Sequence, residues 1–197
     1  PFGGYVTSMD RLKAGKVHWG WDATKPSMIG VLPRDGDAKD VRWFKGPERC
    51  MMHTFNAYSE GNKVVLYAPF YESNFFPFFP PVDGTPWNRD KAKAFVRRIT
   101  LDLDSKRDEW KEEILWPFPI VDLGRGDTRY MTLANRYGFT GYGDATKPFD
   151  EKRAGNLRGR VTICYGRSDF TNGKLDTYFA GDTHSLQECC FIPRGKD

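Results

Sequence analysis

Residues 95–103 read Phe-Val-Arg-Arg-Ile-Thr-Leu-Asp-Leu, so Phe95, Ile99, Leu101 and Leu103 fall on one parity, with Arg97 the single charged residue among them. An apolar residue at every second position lines one face of an extended strand and never gathers on one face of a helix. The same strand-and-turn grammar recurs along the chain. Residues 28–32 are apolar and end in Pro33-Arg34-Asp35-Gly36-Asp37, after which 41–44 is again strand-like. Residues 51–58 run into Ser59-Glu60-Gly61-Asn62, and 63–68 is rich in β-formers. Residues 109–116 can answer 95–103 across Ser105-Lys106-Arg107-Asp108. Residues 161–165 and 174–179 flank a loop containing Asn172-Gly173, a strong hairpin cue. A last strand is expected at 187–192, ended by Pro193. Helical signals are sparse: 88–95, with Asn88 as cap, reads as a short helix or a loop. Many short strands with frequent turns predict an all-β sandwich, barrel or propeller, although internal self-similarity is weak.

Composition narrows the function classes. The 39% hydrophobic and 15% aromatic content suffices for a core, while 13 prolines and 20 glycines make the chain rich in loops. Thirty basic and 26 acidic residues leave a net charge of +4, and the signs are interspersed, as in residues 102–109. A nucleic-acid binder concentrates its charge on one face, so no nucleic-acid partner is expected. The four cysteines (Cys50, Cys164, Cys189 and Cys190) match no zinc spacing and sit in apolar runs, which fits a reducing cytoplasm. No apolar run approaches the roughly 20 residues of a membrane span. The chain begins at Pro1 and stops in a polar run at Asp197, so residues 1–197 are expected to be a partial domain, incomplete at both ends.

One segment departs from the grammar. Phe75-Phe76-Pro77-Phe78-Phe79-Pro80-Pro81 places four phenylalanines among three prolines. Proline removes ladder donors, so this is a stiff apolar loop and not a central strand. It is either buried under neighbouring structure, or lines an apolar substrate site, or forms a patch for a membrane or partner.

Three histidines occur. His18 lies beside two tryptophans and His184 in a polar turn; both read as structural. His53 falls in the apolar run 51–58, where a buried imidazole needs a partner at each nitrogen, either as a satisfied core residue or as a metal ligand. Zinc-protease, nucleophile-elbow and phosphate-loop motifs are absent.

Several segments in order carry a resemblance. They are 1–15 with His18-Trp19; Met28-Ile29-Gly30-Val31-Leu32-Pro33-Arg34; His53-Thr54-Phe55-Asn56-Ala57-Tyr58-Ser59-Glu60-Gly61; Phe76-Pro77-Phe78-Phe79-Pro80 with Phe118-Pro119-Ile120-Val121-Asp122; and Glu188-Cys189-Cys190-Phe191-Ile192-Pro193-Arg194. Together they resemble the carotenoid cleavage oxygenase family, nearest its lignostilbene dioxygenase-like branch. The resemblance implies a seven-bladed β-propeller, of which 197 residues would supply roughly three or four blades. It also implies Fe(II) on the axis, held by four histidines from different blades, and cleavage of a C=C bond by O₂ into two carbonyl products. By that resemblance His53 matches the third iron ligand. Glu188 matches a glutamate that orients the fourth histidine, and Phe76 matches the aromatic wall of the substrate tunnel. The remaining ligands would lie outside the chain.

At the position of the family's usual glutamate partner for the third histidine stands Pro117, so that either Glu113 or another acceptor substitutes through a local shift, or His53 is held more loosely. The expected substrate is a stilbenoid or phenylpropanoid, with a carotenoid or apocarotenoid as alternative. A non-catalytic β-propeller binding module, which would also explain Pro117, is the reading from another class. The Phe-Pro loop leaves peripheral membrane contact open, and nothing in the sequence speaks to oligomeric state.

Overall fold

The computed structural model describes residues 3–116, 121–126, 136–155, 162–190, 192 and 194. Among these, strands dominate, with one short α-helix and one 3-10 turn. A hairpin of β1 (Tyr5–Thr7) and β2 (Trp19–Trp21) encloses the helix α1 (Met9–Lys13), which Ser8 caps by accepting from the Arg11 N–H. A second hairpin pairs β3 (Ser27–Val31) with β4 (Arg42–Gly46). The central sheet is an antiparallel meander of a first edge strand, β7 (Lys63–Tyr71), β8 (Ala94–Asp102) and β9 (Lys111–Trp116). That edge strand comes in two pieces, β5 (Cys50–Met51) and β6 (Asn56–Glu60). A second meander follows: β10 (Val121–Gly126), β11 (Tyr137–Tyr142), β12 (Cys164–Asp169) and β13 (Leu175–Phe179).

Strand β7 shows why these sheets stack. Val64, Leu66, Ala68 and Phe70 face a core with Phe44 and Ile29 of the β3–β4 hairpin and with Met51, Ile99, Leu101 and Trp110. The alternate residues Val65 and Tyr67 face Phe55, Val96, Phe170 and Leu175, towards the second meander. A strand covered on both faces must be apolar at both parities, which explains the unbroken run from Val64 to Tyr71. The Tyr67 and Phe170 rings stack with centroids 4.9 Å apart across that boundary. Face-to-face packing of consecutive four-stranded antiparallel meanders is the arrangement of neighbouring β-propeller blades.

Charge is buried where the central sheet meets the β3–β4 hairpin. Arg97, only 3% exposed, pairs with Glu72 and lies 3.5 Å from Glu112, while Arg49 bridges the same two carboxylates. Two cations and two anions close a neutral ring, so Arg97 can occupy an apolar parity of β8.

Local expectations fared unevenly. The 95–103 strand and its 109–116 partner form as β8 and β9, and Asn172-Gly173 turns the β12–β13 hairpin, with Gly173 at φ +70°. Residues 88–93 form a loop in which the Asn88 carboxamide accepts from the N–H of Asp90 and Lys91. The expected last strand does not form over 187–190. That segment follows β12 through single contacts, from the Tyr165 hydroxyl to the Gln187 carbonyl and from the Leu186 N–H to the Thr162 carbonyl.

Candidate metal and substrate site

His53 does not sit in a continuous strand. Met51 pairs with Phe70 and Asn56 with Tyr67, so residues 52–55 stand opposite only Ala68 and Pro69. Two residues are therefore extruded as a bulge. A bulge frees a side chain from strict in-and-out alternation and re-aims it, which is why bulges gather beside active sites. Pro69 gives the physical reason for its position: proline offers no N–H, and the ladder lapses at that residue. The unusual proline inside an apolar strand is the sequence signal that marked this break.

The bulge is pinned at both ends. Met52 packs into a cluster of Trp21, Cys50, Tyr71, Tyr5 and Phe75. Phe55 is buried, its N–H donates to the Tyr67 carbonyl at 2.8 Å, and its own carbonyl accepts from the Gly126 N–H at 3.2 Å. The Phe55 ring lies against the α-carbon of Gly124, which has no side chain to obstruct it. Between these anchors His53 is half-buried. A half-buried imidazole on a braced turn can offer one nitrogen to a metal. Among the described residues no group of three or more His, Cys, Asp or Glu converges that could hold a metal ion by itself.

The Phe-Pro loop joins the same neighbourhood through Phe75, which shares the Met52 cluster. Phe76 is half-buried, with its ring centroid 4.8 Å from Phe75, 5.3 Å from Phe79 and 5.9 Å from Tyr5. Phe78 is 57% exposed. The loop thus presents a braced aromatic surface.

Glu188 is exposed and forms an ion pair with Arg125 of β10, the residue between Gly124 and Gly126. Its carboxylate therefore reaches the strand that supports Phe55. Glu113 pairs with Arg98 on the exposed side of β9. Pro117 lies outside the described residues. The His18 ring is tilted at 47° against that of Trp19 with centroids 5.6 Å apart, and exposed His184 contacts Thr183 at 3.4 Å.

The comparisons agree on kinship. Residues 4–197 match the family model described as retinal pigment epithelial membrane protein. A lignostilbene-alpha,beta-dioxygenase isozyme III of Sphingomonas paucimobilis is 37% identical over 191 residues, covering 95% of this chain and 39% of that protein. An isoeugenol monooxygenase of Pseudomonas nitroreducens is 35% identical, covering 96% of this chain and 39% of its own length. The crystal structure of Pseudomonas brassicacearum lignostilbene dioxygenase superposes with a TM-score of 0.89 at 34% identity, over 99% of this chain and 40% of that one. The chain thus spans about two-fifths of the length of the relatives it matches. With its family model, its relatives and its stacked blades in accord, the chain belongs to the retinal pigment epithelial membrane protein family, the carotenoid cleavage oxygenases.

Proposed function

We propose that the protein containing this chain is an Fe(II)-dependent oxygenase that splits a C=C bond of a stilbenoid or phenylpropanoid with O₂ to give two carbonyl products. The observation that carries this reading is the histidine on a two-residue bulge, braced by Met52 and Phe55, with Met52 sharing its apolar cluster with Phe75 of the aromatic loop. Identity of 35% or more to a lignostilbene dioxygenase and an isoeugenol monooxygenase supports the substrate class.

In this reading His53 supplies one neutral imidazole, and the other donors come from outside the described residues. Imidazole suits ferrous iron, and an all-histidine set adds no negative charge. When bound, the iron supplies the O₂ activation that protein side chains lack. The chain's own residues hold the ligand and shape the cavity. Met52 and Phe55 fix the backbone on either side of His53, Phe76 lends an apolar wall for an aromatic ring, and Glu188, by the family resemblance, would orient a histidine supplied from outside the described residues. The exposed Phe78 supports a weak contact with a lipid surface. The cysteines sit in apolar runs, Cys50 and Cys164 of them buried as small hydrophobes, which favours a reducing compartment.

The test is iron analysis of the full-length protein with an O₂-uptake screen of stilbenoids, propenylphenols and apocarotenoids. About one iron per chain and cleavage of the first two classes are expected. His53→Ala should lose iron and cleavage together. Stoichiometric iron in that variant rejects the ligand role, cleavage of apocarotenoids alone moves the substrate class, and absence of both iron and turnover identifies a non-catalytic propeller.

A further inference from the structure

We infer that Asn74 is a positioning residue that clamps the aromatic wall 75–79 and thereby sets the preference for two-ring over one-ring substrates. The inference rests on the function proposed above. Asn74 is 3% exposed and every polar atom of its side chain is engaged. Its Oδ1 accepts from the Tyr5 hydroxyl at 2.7 Å and from the Phe76 N–H at 3.0 Å. Its Nδ2 donates to the Phe79 carbonyl at 2.7 Å, and its own carbonyl accepts from the Trp87 indole at 2.9 Å.

One carboxamide thus closes the loop on itself, tying its start at Phe76 to its end at Phe79. Two donors on one side and a carbonyl on the other fix which amide atom faces which. Tyr5 extends the clamp to the β1–β2 hairpin, and its ring meets Trp21, Phe76 and Phe79 with centroids 4.8–5.9 Å apart. Burial pushes the Tyr5 phenol well above its ordinary range, so it stays a donor at any working pH. The prolines stiffen the loop, but its aim depends on these four hydrogen bonds. A two-ring stilbenoid needs a wall for its second ring, whereas a propenylphenol leaves only a methyl group there, so a displaced wall weakens the former.

The variants are Asn74→Asp, which keeps both bonds accepted by Oδ1 but turns an oxygen towards the Phe79 carbonyl, and Tyr5→Phe, which removes one bond and little volume. In the iron-loaded full-length protein, Asn74→Asp should raise the KM for a stilbenoid about tenfold, the scale of one unmet buried hydrogen bond. Its kcat and the kinetics on a propenylphenol should change little. Tyr5→Phe should move the same ratio in the same direction by a smaller factor. Equal effects on both substrates, an unchanged ratio, or loss of iron in both variants would show a merely structural role and overturn the inference. A wild-type protein that loads iron but cleaves neither substrate would instead overturn the function on which it rests.

Discussion

The bracing of His53 can be tested from behind, at a residue that touches no ligand. In Gly124→Ala the new methyl would lie about 2.5 Å from Cε1 and Cε2 of Phe55. Ordinary carbon contacts are about 3.5–4.0 Å, so the ring must retreat by roughly 1 Å. It has nowhere to go: Phe55 is buried against Val65, Tyr67 and Val96, and its backbone is held on one side by Tyr67 and on the other by Gly126. Overpacking of this kind costs about 1–3 kcal/mol, and part of the strain falls on the bulge two residues from the imidazole. Misplacing a metal ligand or its support typically costs about 10–100-fold in affinity or activity. Iron occupancy under competition with a chelator, together with kcat/KM, should fall within that range while circular dichroism keeps its β signature. Adding Phe55→Leu to Gly124→Ala should recover part of the loss, because the smaller side chain makes room for the methyl, although Phe55→Leu alone leaves a cavity. Unchanged iron affinity in Gly124→Ala, or additive losses in the double variant, would refute the bracing argument.

Three further expectations concern the rest of the chain. Replacing Glu72 by Gln leaves Arg97 buried with weakened compensation; broken buried pairs cost about 3–5 kcal/mol, and the one-third exposure of Glu72 lowers that to about 2–3, read as a drop in the urea midpoint. Arg136, with help from the Thr171 hydroxyl, holds the Asp169 carboxylate well below the usual range. Its stabilisation is therefore complete above about pH 4, the unfolded value, and fades as pH falls towards the folded one; Asp169→Asn should flatten the acid limb of a melting-temperature profile, and an unaltered limb would contradict this. Phe78→Ser with Phe79→Ser should reduce co-sedimentation with lipid vesicles, and equal binding by wild type and variant would remove the membrane contact.

The period-2 run at 95–103, the apolar stretch that became β7 and the Asn172-Gly173 turn made the all-β fold legible from local chemistry. Side-chain alternation and turn geometry need no distant partner to be read. His53, Phe76 and Glu188 were singled out by the order of short motifs, and the kinship that order suggested is borne out by the family match. The sequence could not reveal that His53 leaves its strand, because a bulge exists only relative to the register of the neighbouring strand. Pro69 hinted at it, but the hint has meaning only once β7 is paired on both sides. Nor could it foresee the ring of Arg49, Glu72, Arg97 and Glu112, drawn from four separate segments, or the Asn74–Tyr5 clamp, whose partners are 69 residues apart. Periodicity along the chain specifies which faces are buried; which residues meet across those faces is fixed by strand register and blade packing, and these arise only when the sheets close on one another.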